Sequence, residues 1–262
     1  MKISIIKSKW FCIGVSTFFW IALWYVLASV IGSEIFLPYP HTTVVAFVKL
    51  LGQSLFWKSV GNSFWTILSG ALCGIVIGIV LGALAAYFKL AKAIITPFIT
   101  VLRATPVASF IILVYVIVRK VKLDISFVSF LIVVIMVIPI VYTNLYTGFS
   151  SFDEKLNEVA YVYRFGFGKR IAVVYYPQIR PYLIAAIQNS LGFAWKAGIA
   201  AEVICGLSNT IGRNLADSKS NLEMDLLFGW TMTVVLMSLL FEYVFKIIVS
   251  KGTKGERRCD KA

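Results

Sequence analysis

A few polar side chains inside otherwise apolar stretches are the residues best placed to do chemistry in this sequence. Five residues share one face of the helix predicted over 183–206, namely Gln188, Asn189, Gly192, Trp195 and Lys196. Glu202 follows six residues after Lys196, about 240° further round an ideal helix, so these two charges cannot pair on one face. The stripe and Glu202 therefore either belong to a buried polar network or line a path for a polar solute.

A second candidate is Arg103, which lies in another apolar stretch between Pro97 and Pro106. An arginine at membrane depth is costly unless it faces protein or water, so Arg103 is a candidate for contact with an anionic solute or for a gate. The alternative is that its long side chain reaches back to the membrane interface. The sequence alone leaves both interpretations open.

Residue groups that suit catalysis or metal binding are missing from the sequence. The four cysteines have neither zinc nor redox spacing, and the single histidine, His41, lies beside Pro40. There is no G-x-x-x-x-G-K-[ST] phosphate loop and no nucleophile constellation. We therefore expect a chain that is not an enzyme, with no catalytic residues, no metal site and no cofactor of its own.

The composition is that of an all-α polytopic membrane protein. Of the 262 residues, 60% are hydrophobic and only 14% charged, and the mean hydropathy is +0.88, which a soluble domain of this length does not reach. Several stretches lack charge over about 18 residues, as a transmembrane helix requires, and strand-like alternation is absent. The net charge of +13 comes from cations that flank apolar runs, which argues for a protein in a lipid bilayer and against nucleic-acid binding.

Six transmembrane helices are predicted within a single membrane domain, residues 10–250: 10–31, 64–88, 92–118, 125–147, 183–206 and 227–249. An even number of spans places both termini on one side of the membrane. Lysine and arginine are concentrated in the segments 1–9 and 251–262, so we expect both to be cytoplasmic. Arg119, Lys120 and Lys122 disagree with this topology, because it places them outside.

Four glycines recur at every fourth residue in the second predicted span, at Gly70, Gly74, Gly78 and Gly82. They share one helix face, on which another helix can approach the backbone closely. The sequence leaves two interpretations open. One is tight packing within the chain, and the other is a helix that slides or crosses at a subunit interface.

A polar, basic loop over about 150–182 separates the fourth and fifth predicted spans. Ser151 and Glu154 fit a capping box, which would start a helix. An apolar helix face follows at Phe152, Leu156, Val159, Ala160 and Tyr163. Gly166 and Gly168 end this helix, and a second short element follows. This helix-turn-helix is either a docking knob for a soluble partner, in the helix-in-groove mode, or an interfacial helix against the lipid.

Five short motifs spread over about 35–250 match one known pattern. Glu158, Val159 and Ala160, with Pro177 nineteen residues after Glu158, resemble the E-A-A loop of ABC importer permeases. Four further motifs resemble the nitrate/sulfonate/taurine/bicarbonate family of these permeases: Leu37-Pro38-Tyr39-Pro40; Pro139, Asn144 and Gly148; Tyr176-Pro177 with Pro181-Tyr182; and Gly192-Phe193-Ala194-Trp195 with Ala201-Glu202-Val203-Ile204.

The resemblance implies a type I ABC importer permease-like bundle of six helices in the bacterial plasma membrane, working as a homodimer. Two ATPase subunits, which would hold ATP and Mg, would bind its cytoplasmic loops, and an extracytoplasmic solute-binding protein would deliver the solute. The residues expected to couple to the ATPase are Glu158, Ala160, Tyr163, Arg164, Gly166, Gly168 and Pro177. The candidates for pathway or gate are Arg103, Gln188, Asn189, Trp195, Lys196 and Glu202.

The solute implied by the resemblance is a small anion or a small polar organic molecule, such as a sulfonate, taurine, nitrate, bicarbonate or a vitamin precursor. Arg103 and Lys196 make an anion plausible. The alternative is a secondary carrier driven by an ion gradient, which the polar fifth span would also suit. No evident internal repeat supports this alternative, and dependence of uptake on a separate ATPase would distinguish the two.

The loop departs from the family pattern at one position that matters for its shape. Arg164 stands where the pattern has glycine, six residues after Glu158, and the next glycines are Gly166 and Gly168. We therefore expect the turn between the two helical elements to lie two to four residues later than in the family.

Overall fold

The computed structural model of this protein is built from helices and the turns between them. It describes the backbone of residues 2–259, so Met1 and 260–262 of the predicted terminal segments lie outside the described residues. The side chains that are likewise not described are those of 2–10, Glu154, Asn157, Phe167, Ile248 and 250–259. No strand occurs in the described backbone, which confirms the predicted all-α fold class.

Eleven α-helices and one π-helical segment follow one another in the described range. They are α1 (Lys2–Ile31), α2 (Pro40–Leu51), α3 (Ser54–Tyr87), α4 (Lys89–Ala104), α5 (Val107–Lys120), α6 (Phe127–Ser150), α7 (Glu154–Val162), α8 (Phe167–Arg170), the π-helical segment (Ile171–Tyr175), α9 (Tyr176–Cys205), α10 (Ile211–Ser220) and α11 (Met224–Cys259).

The count of six membrane spans is not confirmed. Within the described residues four stretches are long and apolar enough to cross a membrane: Phe11–Ile31 in α1, all of α3, all of α6, and Met224–Ile247 in α11. The pair α4 and α5 makes a fifth if the two are counted as one span. The predicted span 183–206 lies in α9, which at 30 residues is about 45 Å long. Its polar residues, not its length, keep it below the hydropathy that a span requires.

The predicted third span, 92–118, is not one helix. It is divided between α4 and α5, whose axes are bent by 106° at the break. Pro106 lacks an N–H and drives the residue before it out of the helical region, and Thr105 accordingly has φ −81° and ψ 134°. The uniform hydropathy of this stretch concealed a break that the sequence marks with a proline.

The core of the bundle is the contact of α3 with α6, and the glycine stripe forms it. A Cβ on Gly74 would lie 2.9 Å from Val137 Cβ, and one on Gly78 would lie 2.7 Å from Val141 Cβ. Two helix backbones can approach this closely only where side chains are absent. The stripe therefore packs within the chain, and the other interpretation, a helix that slides at a subunit interface, is wrong.

Helix α9 packs on the other side of α6 and completes this core. A Cβ on Gly198 would lie 2.5 Å from Ile67 Cγ1 of α3, so three helices meet at this glycine. Ser129 Oγ of α6 donates a hydrogen bond to the Gly198 carbonyl at 3.2 Å. Helix α9, which carries several polar residues, thus packs against the two most apolar helices, α3 and α6, and leaves one face uncovered.

Helix α1 lies at the edge of the bundle, and its described side chains, those of Phe11–Ile31, are mostly exposed. Its last turns are attached through Trp24, whose Nε1–H donates to the Pro38 carbonyl at 3.1 Å, and through Tyr25, whose hydroxyl lies 3.1 Å from His41 Nδ1. An apolar helix with so little cover from its own chain is suited to contact with lipid or with another subunit.

Candidate coupling loop and polar sites

The loop after α6 begins with a cap other than the predicted one. Asp153 is the residue before α7, and its Oδ1 accepts a hydrogen bond from the Lys155 N–H at 2.9 Å. Ser151 instead donates from Oγ to the Thr147 carbonyl at 2.7 Å, so it belongs to the end of α6. The predicted Ser151–Glu154 capping box is therefore wrong, because an aspartate two residues later offers the stronger acceptor.

The turn after α7 lies at Arg164, and the prediction that it would move to Gly166 or Gly168 is wrong. Arg164 has φ +49°, in the left-handed region. The Arg164 N–H donates to the Tyr161 carbonyl at 3.0 Å, and the Phe165 N–H donates to the Ala160 carbonyl at 2.9 Å. These two bonds form a Schellman motif, whose left-handed position usually holds glycine. Arginine occupies the family's glycine position without displacing the turn.

Three contacts fix the loop to the helix bundle. The Phe152 ring stacks on Tyr175 of the π-helical segment, with centroids 5.3 Å apart, and meets Phe149 of α6 edge to face at 5.5 Å. The Asp153 N–H donates to Gln178 Oε1 of α9 at 3.0 Å. Because the π-helical segment continues directly into α9, these contacts connect the loop to a helix that reaches the core.

The seven predicted coupling residues divide into one buried side chain and an exposed surface. Ala160 is buried and holds α7 close to its neighbours. The other members of the set are exposed, namely Glu158, Tyr163, Arg164, Gly166, Gly168 and Pro177. Tyr161, Val162 and Tyr163 are 81%, 74% and 71% exposed. Tyr161 and Val162 were not part of the predicted apolar face, which included Tyr163 but also the buried Ala160.

The predicted polar stripe of α9 is not a single surface. Gln188, Asn189 and Lys196 are exposed. Trp195 is buried, stacks near Phe241 at 5.1 Å, and donates from Nε1 to the Val234 carbonyl at 3.0 Å, so it packs α9 against α11. Gln188 opens onto a groove of about 570 Å³ that it shares with Glu242 and Lys246 of α11.

Glu202 lies in a buried network, which we call the Glu202 junction: Glu202, Ser63, Ile211 and Gly212. Glu202 Oε2 accepts from Ser63 Oγ at 2.8 Å and from the Gly212 N–H at 3.1 Å. Ser63 Oγ in turn accepts from the Ile211 N–H at 3.0 Å. The carboxylate thus satisfies the first turn of α10 and ties it to α3 and α9. This geometry favours the buried network over the solute path for Glu202, and Lys196 takes no part in it.

Arg103 lies at the end of α4 on an exposed face. Its Nη1 is 3.5 Å from Thr143 Oγ1 of α6, a long distance for a hydrogen bond. Two further residues on the same side, Lys92 and Tyr146, were not predicted from the sequence. The Lys92 ammonium lies 5.0 Å from the centroid of the Tyr146 ring. The spacing of Lys92, Thr96, Thr100 and Arg103 along one helix face was the signal that could have found them.

Comparison with known proteins agrees with this arrangement. Residues 74–252 match the family described as binding-protein-dependent transport system inner membrane component. SsuC of Bacillus subtilis (strain 168), named as an aliphatic sulfonates transport permease protein, is 26% identical over 238 residues, which cover 89% of this chain and 83% of SsuC. The bicarbonate transport system permease protein CmpB of Synechococcus elongatus is 26% identical over 162 residues, 62% of this chain and 56% of CmpB.

Solved structures share the fold at low sequence identity. A chain of a bacterial ABC transporter involved in the import of the acidic polysaccharide alginate superposes with a TM-score of 0.64 at 14% identity, over 94% of this chain and 97% of that one. A chain of an amino acid ABC transporter gives 0.60 at 18% identity, over 78% and 94%. The family match covers most of the sequence, so this chain belongs to the binding-protein-dependent transport system inner membrane components, the non-catalytic permease subunits of ABC transporters.

Proposed function

We propose that this chain is the membrane subunit of an ATP-driven, binding-protein-dependent importer and that α7 is where an ATPase subunit docks. The observation that carries the proposal is the exposure of Tyr161, Val162 and Tyr163 at the end of α7, while Phe152 and Asp153 fix the start of the loop to the bundle. Exposed aromatic side chains at this density suit insertion into a groove of a soluble partner. Helix α7 would be the coupling helix.

The proposed complex contains two copies of the permease, two ATPase subunits and an extracytoplasmic solute-binding protein. Six crossings arise if α4 and α5 form one span and the enclosed α9 forms another. Both termini and α7 then lie in the cytoplasm of a bacterial cell, and α10 lies outside. ATP and Mg would be held by the ATPase, which would supply the hydrolysis that this chain does not perform.

The proposed mechanism requires a coupling element that moves as one piece. ATP binding would close the ATPase dimer and draw the two α7 helices together, and the bundle would change from inward- to outward-open. Hydrolysis would reset it. The stacked Phe152 and Tyr175 and the bond from Asp153 to Gln178 support this role, because they link α7 to α9 without a flexible segment between them.

The proposed solute is a small anion or a small polar organic molecule. Two relatives support this class, since one is named for aliphatic sulfonates and another for bicarbonate. Gln188, Asn189 and Lys196 stay candidates for contact with it, because they are exposed on a helix that the rest of the bundle encloses. The two relatives are each about one quarter identical to this chain, so their names support the solute class and not one particular solute.

The test is purification of the tagged permease in mild detergent, with the ATPase that accompanies it quantified for two matched variants. Tyr161 of α7 and Tyr87 at the end of α3 are 81% and 83% exposed. We expect Tyr161→Ser to reduce the recovered ATPase about tenfold, since an exposed tyrosine that fills a pocket is a typical binding hot spot. Tyr87→Ser should leave the recovery unchanged.

The same preparation distinguishes the importer from the alternative, a secondary carrier driven by an ion gradient. An ATPase recovered in equal amounts with both tyrosine variants would contradict the docking role of α7. Uptake that follows an imposed ion gradient without any ATPase would contradict the importer altogether. Glu158→Lys gives an independent check, because it reverses a charge on α7 and should lower uptake without lowering the amount of permease in the membrane.

A further inference from the structure

Helix α4 has three distinct faces, and one of them is polar. Ile99 and Leu102 are buried and pack with Tyr142 of α6, while Phe98 and Val101 are exposed and apolar, as lipid contact requires. The third face is the α4 stripe: Lys92, Thr96, Thr100 and Arg103. These residues recur at intervals of four, four and three, so they lie one above another along the helix. From end to end the stripe extends about 16 Å.

The α4 stripe lies along α6, which adds hydroxyl groups to it. Thr96 Oγ1 and the Tyr142 hydroxyl are 2.8 Å apart, and the Lys92 ammonium lies over the Tyr146 ring. Arg103 reaches towards Thr143 at the other end. One edge of the contact between α4 and α6 is therefore polar, beside the apolar packing of Ile99 and Leu102 against Tyr142.

The charge along this seam is entirely positive. The sequence contains no aspartate or glutamate between Glu34 and Asp124, and none in α6. Lys92 and Arg103 make no ion pair with any residue that the structure describes. The neighbouring helices α3 and α5 contribute only further cations, Lys58, Arg119 and Lys120. Lys92 and Arg103 thus lack a counter-charge among the described residues.

The surroundings of the α4 stripe follow from two physical costs. An arginine within an apolar stretch is too costly to face lipid, so the Arg103 end of the stripe must face protein or water. This chain leaves Lys92, Thr100 and Arg103 exposed. A second copy related by a twofold axis would bring the same cations opposite themselves, and like charges in dry contact repel. Water and mobile anions between the two copies remove both costs.

We propose that the α4 stripe lines the inner half of the solute path and that the solute carries an oxyanion group. This inference rests on the proposed function and narrows its solute to an anion. The Arg103 guanidinium presents a fork of donors that matches two oxygens of a sulfonate or carboxylate, and Lys92 supplies a second charge nearer the exit. The hydroxyl protons of Thr100 and Thr143 are donated to the Thr96 and Pro139 carbonyls, so the two cations supply the attraction. Attraction by charge alone suits passage, since a solute must also leave.

The test measures how fast charged reagents reach a cysteine in the α4 stripe. Thr100→Cys is placed in a chain whose four native cysteines are replaced by serine, and the complex in membrane vesicles is treated with an anionic or a cationic methanethiosulfonate. We expect the anionic reagent to react about tenfold faster, relative to its rate with free glutathione, because one sign of charge concentrates counter-ions. Arg103→Gln with Lys92→Gln should abolish this preference.

Phe98→Cys is the matched control, since Phe98 is 61% exposed on the apolar face of the same helix. It should react with neither reagent. A Thr100→Cys that reacts with neither, or that shows no charge preference, overturns the proposal. So does a Thr100→Cys that becomes protected when phosphatidylglycerol is added to phosphatidylcholine vesicles, because a lipid phosphate then occupies the stripe. These readouts need no ATPase, so they are independent of whether the docking test succeeds.

Discussion

Two regions of the molecule hold charged groups in opposite ways. In the Glu202 junction the carboxylate is fully buried, and its own chain supplies the Ser63 hydroxyl and a backbone N–H. Along the α4 stripe, Lys92 and Arg103 are exposed and have no acidic partner in the described part of the chain. A buried group with partners from two other helices supports the fold, whereas a charge left uncovered by the described residues is available to something else. Burial and partners, more than residue type, separate the two roles.

The largest expected effect is the loss of the carboxylate in the Glu202 junction. Glu202→Ala leaves the Ser63 hydroxyl and the Gly212 N–H buried without an acceptor, which should destabilise the protein by about 2–5 kcal/mol. Thermal unfolding in detergent measures this. Glu202→Gln keeps one acceptor oxygen and should lose less than half as much.

A second variant in the same assay tests whether burial distinguishes the two regions. Arg103→Gln removes a charge of the same size from the α4 stripe. The described polar contact of the Arg103 side chain is the long one to Thr143. The unfolding midpoint of this variant should stay at the wild-type value. Equal losses for Glu202→Ala and Arg103→Gln would show that burial does not distinguish the two regions.

A smaller effect is expected from the glycine stripe that supports the buried region. A Cβ on Gly78 would lie 2.7 Å from Val141 Cβ, whereas a Cβ on Gly61 of the same helix would have nothing within 4 Å. Gly78→Ala should therefore cost about 1–3 kcal/mol by overpacking. Gly61→Ala should be neutral or slightly stabilising, because alanine is the better helix former.

The matched repair is Val141→Gly combined with Gly78→Ala. Glycine at 141 removes the Cβ that the new methyl group would strike, so the double variant should be more stable than the sum of the two single losses predicts. Strictly additive losses in thermal unfolding would mean that the α3–α6 contact is looser than these distances indicate.

Patterns that repeat along one segment could be predicted from the sequence, and contacts between distant segments could not. Hydropathy predicted an all-helical membrane protein, and the structure has the short helix α7 between the long helices α6 and α9. The contact of Glu202 with Ser63 could not be predicted from the sequence, because the two residues are 139 positions apart in the chain. Glycine spacing predicted that another helix would approach α3 but not that α6 would be that helix.

Two predictions were wrong although the sequence contained the correct indication, because another pattern in the same segment was stronger. Pro106 marks the break between α4 and α5, but the hydropathy of 92–118 is high on both sides of it, so one span was predicted. Arg164 moved the predicted turn towards Gly166, because glycine is the usual left-handed residue. The turn stayed at Arg164 because two backbone hydrogen bonds to Ala160 and Tyr161 hold it there.

The smallest expected effect lies in the exposed loop, whose shape depends on these backbone bonds. Arg164 adopts φ +49°, which costs a residue with a Cβ about 1–2 kcal/mol relative to glycine. Arg164→Gly relieves this cost and loses part of the gain to the greater freedom of glycine in the unfolded chain. Hydrogen exchange at Phe165, whose N–H closes the turn, should therefore slow by about threefold, because the turn opens less often. Arg164→Ala keeps the Cβ and should exchange at the wild-type rate. If both variants slow exchange alike, the arginine side chain and not the backbone limits the turn, and the loop would resemble the buried region in depending on side-chain contacts.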